Sequence, residues 1–477
     1  MQQQCRSFSA LKNTKTYSRR SPRIRLVRMI SLGCPKNLVD AGIAAGSFVV
    51  SGFGLTADEN EADVIWINTC AFLRSAREEA SDVIREALVW KSAKRGRKVV
   101  VGGCFIKWDA ENGSHLSQMF PEVDAWLGID SPADTGSVLN ALFEKKKPET
   151  KAPANSAKWI CDSQTPRILV EAEHFAYLKI SDGCDNCCTY CLIPSIRGSL
   201  RSRTVDDVIR EAKSLIGMGV RELILIAQDT GGFGRDLDGH GHLGDLLDAF
   251  NEVDGDYLIR LMYLHPRSIT DNLLAAMKRC KHLIPHLEMP VQHVSEHMLQ
   301  SMNRHLSAER QKEVLQAIRE AGFTIRTTLM TGFPGETEDD FAELKHAVED
   351  RIFDRIGVFA YSPEPGTPAS EMTDILPEGV GEKRRDILLE MQNKISVERN
   401  RLLKGSDVPA ILDCVEENGK GTGRLFADAP DIDQLLHIRT LPEDAKPGDL
   451  LLVHITGTAA YDIRGTFLDF YQGPASL

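Results

Sequence analysis

The 477 residues include 42% hydrophobic side chains, and 57 Lys and Arg stand against 68 Asp and Glu for a formal net charge of −11. A chain of that length exceeds one ordinary domain and can bury substantial cores, while its acidity argues against a protein that holds nucleic acid through charge alone. No run approaches the roughly 18 apolar residues of a membrane span, so no membrane partner is expected, and eleven cysteines without a secretory apolar region read as reduced, cytoplasmic thiols serving metal or catalysis rather than disulfides.

In chain order, residues 1–28 stand apart, with eight cations from Arg6 to Arg28, no acid and several Ser and Thr. That composition resembles a transit peptide. The plainer reading is a disordered basic extension over residues 1–23, or a stretch upstream of a start at Met29, and no function is assigned to it. Residues 24–143 alternate: "IRLVRMISLG" predicts a strand, residues 37–48 a helix, "ADVIWINT" a strand, residues 75–94 a helix and "RKVVVGG" a third strand. This is an open parallel α/β domain. Residues 144–169 read as a linker, opening on the charged, Pro-containing "EKKKPETKAPANSAK".

Over residues 170–403 the alternation resumes on a larger scale. "HFAYLKIS" precedes a cysteine loop and a helix capped by Thr204, with Asp207 three residues on. "ELILIAQD", "LIRLMYLH", "PHLEMPVQ", "TIRTTLMT" and "RIGVFAYSP" follow, separated by helical stretches, and a charged helix from Glu382 to about Leu403 closes the segment. Six strands with six helices predict a partial (β/α)6 barrel, whose reactive groups sit at the strand C-termini. Residues 404–477 switch to short strands with Gly and Pro turns, which predicts a small all-β domain, barrel or sandwich. The fold class is α/β, and no internal repeat is visible.

"GCDNCCTYCLIPS" (residues 183–195) holds four cysteines in eight positions. Either the pair Cys188 and Cys191 anchors a zinc knuckle, or Cys184, Cys188 and Cys191 form C-x3-C-x2-C and leave Cys187 aside. A structural zinc site is normally closed by four N or S ligands. Three thiolates at a barrel mouth suit an iron–sulfur cluster with one iron open to substrate. Cys34, Cys70 and Cys104 each fall just beyond a predicted parallel strand, so they converge on the sheet edge where ligands collect. Any one of them alone would read as a small buried hydrophobe; three at matching positions point to metal.

"CDNCCTYC" resembles the cluster loop of radical S-adenosylmethionine (SAM) enzymes. "SLGCPKNLVD", "INTCAF" and "VGGCF" resemble the amino-terminal domain of the methylthiotransferases, and the last segment resembles their TRAM module; the resemblance covers roughly residues 24–472. It implies two 4Fe-4S clusters, one on Cys184, Cys188 and Cys191 that cleaves SAM, and an auxiliary one on Cys34, Cys70 and Cys104. Cys187 then carries no ligand, and Cys5, Cys161, Cys280 and Cys414 stay unassigned. The family's chemistry implies that the open iron binds SAM and that a one-electron donor such as flavodoxin or ferredoxin feeds the cluster. A deoxyadenosyl radical then removes hydrogen from an unactivated carbon, which no acid or base side chain can do. A second SAM methylates sulfur carried on the auxiliary cluster. Tyr190 is expected to lie against the SAM adenine, with simple packing as the alternative. No other catalytic side chain is expected.

Weaker candidates remain. "TGFPGETEDD" (331–340) could offer backbone N–H groups to SAM, although an ordinary loop with helix-capping acids explains the same letters. Gln228 and Asp229 could face the cofactor. His265, His286 and His293 read as structural, hydrogen-bonded histidines.

The substrate divides the family between modified adenosines of tRNA and an aspartate β-carbon of the twelfth protein of the small ribosomal subunit, alone or within the subunit. "SLGCPKNLVD" and "GRLFADAPDID" (423–433) resemble the protein-modifying branch, although Ala41 and Gly42 stand where the family commonly has Ser-Glu, which puts the local helix start in question. Residues 404–477 carry six cations against twelve acids. An acidic β domain suits a basic ribosomal protein better than tRNA, with Asp428, Asp431 and Asp433 as candidate contacts. A non-catalytic iron–sulfur or RNA-binding scaffold would explain the cysteines and the β domain, but not two three-cysteine sites in separate α/β domains.

Overall fold

The computed structural model describes residues 23–113, 115–130, 132–144, 159–238 and 241–473. Most of the basic amino-terminal stretch, with Cys5, and the linker residues 145–158 lie outside the described residues. The chain divides into two compact units, one of Met1–Val170 with Ser195–Arg197, the other of Glu171–Pro194 with Gly198–Leu477.

The first unit is an open sheet of strands β1 (Leu26–Ser31), β2 (Gly54–Leu55), β3 (Val64–Thr69), β4 (Lys98–Gly103) and β5 (Ala125–Leu127), in the order β2-β1-β3-β4-β5 and parallel throughout. Central β3 is buried along its whole length, as is the Val99–Val101 run of β4. This is why both read as continuous apolar runs rather than alternating ones. Helices Pro35–Val50 and Arg74–Ser92 supply the crossovers, and Phe48 meets Trp66 edge-on within the core.

Helix Pro35–Val50 is unbroken through Ala41 and Gly42, so the departure at these positions does not disturb the helix start. Gly42 has a packing reason. The Ile168 N–H donates to its carbonyl at 2.9 Å, and a Cβ on Gly42 would stand 2.6 Å from the Ile168 carbonyl oxygen. Residues 166–168, expected to be linker, are thus laid along the glycine face of this helix.

The second unit holds β6 (Phe175–Lys179), an antiparallel ribbon of β7 (Ser181–Asp182) and β8 (Arg201–Ser202), and then β9 (Glu222–Ile226), β10 (Leu258–Leu261), β11 (Leu283–Glu288), β12 (Thr324–Thr331) and β13 (Arg355–Ala360). The six long strands form one parallel sheet, β13-β12-β11-β10-β9-β6, as the partial barrel requires. Thr204 caps helix Val205–Gly217 by accepting from the Asp207 N–H, and helix Val380–Leu403 closes the segment.

Strands β14 (Asp407–Glu416), β15 (Lys420–Leu425), β16 (Leu435–Arg439), β17 (Leu450–Thr458) and β18 (Asp462–Phe470) complete the unit as a closed barrel, β14-β15-β16-β18-β17. Leu412, Leu436, Val453, Ile455 and Ile463 fill it. Of the two all-β alternatives, the chain adopts the barrel.

Candidate metal centres

In the first unit β1, β3 and β4 are adjacent strands, and each is followed by a cysteine at its carboxyl end: Cys34 before helix Pro35–Val50, Cys70 directly after β3, and Cys104 as the first residue of helix Cys104–Asn112. One side chain ties the three loops together. Asn37, fully buried, donates from its side-chain amide to the carbonyls of Leu32 (3.1 Å) and Thr69 (3.0 Å), and its backbone carbonyl accepts from the Asn68 side-chain amide at 2.7 Å. Its Oδ1 lies 3.5 Å from Cys104 Sγ. Burial pushes the Cys104 thiol up to about 12, and the neighbouring Cys70 and Cys34 add to the rise while Arg197 offsets part of it. Burial likewise raises Cys70, with a contribution from Cys34. The three thiols are therefore close enough to feel one another's charge.

The second unit repeats this logic. The loop after β6 carries Cys184, Cys188 and Cys191. Burial raises Cys191 to about 12 and Cys184 to about 11, with Cys188 contributing to both. Thr189 fixes the loop: its hydroxyl donates to the Ser301 carbonyl at 2.9 Å, and its N–H donates to the Met302 carbonyl at 3.1 Å. Asn186 donates to Asp229 Oδ2 at 2.8 Å. Cys187 is exposed, takes a left-handed backbone (φ 51°), and accepts a hydrogen bond at its carbonyl from Asn303.

Among the described residues no three Cys, His, Asp or Glu side chains close around a single ion. Each set offers three thiols, one short of the four ligands that normally close a structural zinc site, and three thiolates suit a four-iron cluster. Thiols held protonated by burial become ligands only when iron displaces their protons.

Each triplet also has a buried arginine that sequence reasoning missed. Arg197 donates to Cys104 Sγ at 3.3 Å. Arg304 donates from Nη1 to Cys188 Sγ at 3.4 Å and to the Tyr190 hydroxyl at 3.2 Å. Tyr190 packs among Met298, Met302, Phe333 and Ala369, edge-on to Phe333. Arginines obey no spacing rule, so nothing in the sequence singled these two out. Asn37 lay in plain view inside "SLGCPKNLVD".

Most of the weaker candidates have hydrogen-bond partners, but Gln228 Oε1, His265 Nε2 and both ring nitrogens of His286 are buried without one, so His286 is not the hydrogen-bonded histidine that was expected. Gln228 donates to Asp182 at 2.7 Å, and Asp229 accepts from Asn186 and from the His265 N–H. In the 331–340 turn the N–H groups of Gly332, Gly335, Glu336 and Thr337 are all taken up internally, so these amides do not offer a cradle for SAM. His265 and His293 each accept a backbone N–H two residues ahead. Burial holds both His265 and His286 neutral, far below the usual imidazole range.

The acidic carboxyl-terminal segment corrects an expectation. Asp428 is fully buried, accepting from Arg355 at 3.3 Å and from Gln434 at 3.0 Å. Asp433 accepts from Arg326 at 3.0 Å with 6% of its side chain exposed. Only Asp431 of the three is exposed. Beside them Arg424 reaches Glu222, which also accepts from Arg260 at 2.7 Å, and Arg260 donates onward to the Phe426 carbonyl. The "GRLFADAPDID" segment therefore seals the barrel against the amino-terminal halves of its strands. Asp428 and Asp433 neutralise inward-facing arginines and are not docking contacts, which leaves Asp431 as the one exposed carboxylate of the three.

The sequence matches the radical SAM superfamily over residues 178–348, the uncharacterized protein family UPF0004 over 26–128 and the TRAM domain over 405–468. It is 39% identical over 447 residues to the ribosomal protein uS12 methylthiotransferase RimO of Geobacter sulfurreducens, covering 93% of this chain and 98% of the relative. The enzyme of the same name from Clostridioides difficile is 38% identical, with the same coverage of each chain. Among solved structures, the radical SAM methyltransferase TsrM from Kitasatospora setae with cobalamin and a [4Fe-4S] cluster bound superposes with a TM-score of 0.53 at 13% identity, over 86% of this chain and 83% of that one. That likeness is one of fold.

Proposed function

Since the chain belongs to the family of ribosomal protein uS12 methylthiotransferases, we propose that it replaces a hydrogen on the β-carbon of an aspartate of uS12 with a methylthio group. The observation that carries this reading is the pair of three-cysteine sets, one on three loops and one on a single loop, each at the carboxyl edge of a parallel sheet, in a chain related to those enzymes over nearly its whole length. Cys184, Cys188 and Cys191 hold the SAM-cleaving 4Fe-4S cluster, and Cys34, Cys70 and Cys104 hold the auxiliary one. When bound, the clusters and SAM supply the one-electron chemistry and the sulfur that no side chain can.

The protein's own residues position and seal. Asn37 fixes the three loops of one site, Thr189 and Asn186 fix the loop of the other, and Tyr190 borders the adenine of SAM. Arg197 places a positive charge beside the Cys104 sulfur, whose thiolate burial alone disfavours, and Arg304 donates to the Cys188 sulfur. A flavodoxin or ferredoxin delivers the electron, and the reaction takes place in the cytoplasm. No described helix is long and apolar enough to cross a membrane.

The test is mass spectrometry of uS12 and of tRNA from a strain lacking the gene. Loss of one methylthio group from uS12, with tRNA unchanged, is the expected result. Methylthiolated adenosine lost from tRNA, with uS12 unaltered, would transfer the chain to the other branch; the names its relatives carry do not favour that outcome.

A further inference from the structure

We infer that Arg197 is a positioning residue for the auxiliary site, setting the reduction potential of whatever cluster Cys104 ligates. The inference rests on the assignment of Cys34, Cys70 and Cys104 as ligands. Arg197 is 2% exposed and belongs to the first unit. Its Nη1 donates to Asp40 Oδ2 at 2.8 Å, and its Nη2 donates to Asn37 Oδ1 at 2.8 Å and to Cys104 Sγ at 3.3 Å. Asp40 and Asn37 are themselves buried and lie on one helix at i and i+3, so they grip the guanidinium from one face. A rigid planar fork held by two fixed acceptors keeps its remaining donor aimed at the sulfur.

A guanidinium hydrogen bond at a cluster thiolate favours the more negative, reduced cluster, because hydrogen bonds to sulfur help set the potential. Asp40 does not cancel this effect: it pairs with Nη1, whereas Nη2 faces the thiolate, so the local dipole presents its positive end to sulfur. The arrangement also gives a purpose to Asn37 and Asp40 in "SLGCPKNLVD", neither of which can ligate a cluster as the cysteines do.

The experiment uses the full chain with Cys184, Cys188 and Cys191 replaced by Ala, so that only the auxiliary cluster contributes iron and an electron paramagnetic resonance signal. This background is reconstituted first. If it binds no iron, the ligand assignment itself fails, before any change at Arg197. With iron bound, Arg197→Gln is expected to lower the midpoint potential, making reduction less favourable by about tenfold, the scale of one charge-assisted hydrogen bond. Arg197→Lys, which keeps the charge and loses the fork, should fall between Gln and the parent. An unchanged potential in Arg197→Gln at full iron content overturns the inference. Equal loss of iron from the Gln and Lys variants overturns it too, since the residue would then be a packing post indifferent to charge.

Discussion

Arg326, on β12, donates from Nε to Asp433 at 3.0 Å while its Nη1 pairs with Glu288 at 3.2 Å. A carboxylate from the small β barrel thus completes an ion pair inside the larger one. Breaking a buried pair strands the partner charge, which costs about 3–5 kcal/mol. Asp433→Ala and Asp428→Ala should therefore lower the urea midpoint markedly, and charge reversal at either position should lower it further. Asp431→Asn, which keeps the left-handed backbone at an exposed site, should fall within about 0.5 kcal/mol of the parent. Equal, small effects at all three positions would sink the seal and restore a docking surface.

Iron content provides the second test. The reconstituted chain should bind about eight irons, as two four-iron clusters. Replacing Cys34, Cys70 and Cys104 by Ala should remove about half of that iron and leave SAM cleavage. Replacing Cys184, Cys188 and Cys191 should abolish cleavage. Cys187→Ala should retain the iron; losing one cluster's worth would make Cys187 a ligand.

Acid should loosen the barrel seal in two stages. His286 is buried and feels Arg260, Arg326, Arg355 and Arg424. Its folded pKa lies below the unfolded 6.5, so the unfolded chain takes up a proton that the folded chain refuses. Stability is therefore full above pH 6.5 and falls below it, by about 1.4 kcal/mol per pH unit for this group. Glu222 acts lower. Burial alone would raise its carboxyl, but Arg424 and then Arg260 outweigh burial and hold it at about 2, so its contribution is lost as pH falls from 4.5 towards 2. His286→Gln should flatten the slope of apparent thermal midpoint against pH between 6.5 and 5. A variant slope as steep as the parent's would assign the acid sensitivity to other groups.

Gly42→Val should destabilise the first unit by about 1–3 kcal/mol, the usual range for forced overpacking, because the added side chain meets the backbone at Ile168. Gly52→Ala, at a position with nothing within 4 Å, serves as a control for backbone strain alone. Hydrogen exchange should show the difference as lost protection at Ile168, whose N–H bonds to residue 42.

The long parallel strands were legible because burial on both faces writes them as apolar runs, as in "VIWINT" and "ELILI". The shortest strands were not: β2 has two residues, β5 three, and β16 alternates over five between acidic turns. The strand-end placement of the cysteines could be read because a strand end fixes where each thiol stands. Arg197 and Arg304 could not be, since a long side chain can reach several partners and its position in sequence does not choose one. The acidity of residues 404–477 misled for a related reason. Composition counts carboxylates but does not say which side they face, and Asp428 and Asp433 turn towards Arg355 and Arg326.

The seal also constrains the order of synthesis. Arg355 and Glu222 leave the ribosome well before their partners Asp428 and Arg424, so the larger barrel emerges with these two charges lacking the partners that the small barrel brings. Until the final strands are made, a nascent chain cannot complete that interior, and an incompletely packed domain of this size is exposed to association with other chains. A premature stop after helix Val380–Leu403 would leave Arg355 and Glu222 without those partners. The last 70 or so residues thus act as the keystone of a domain that precedes them.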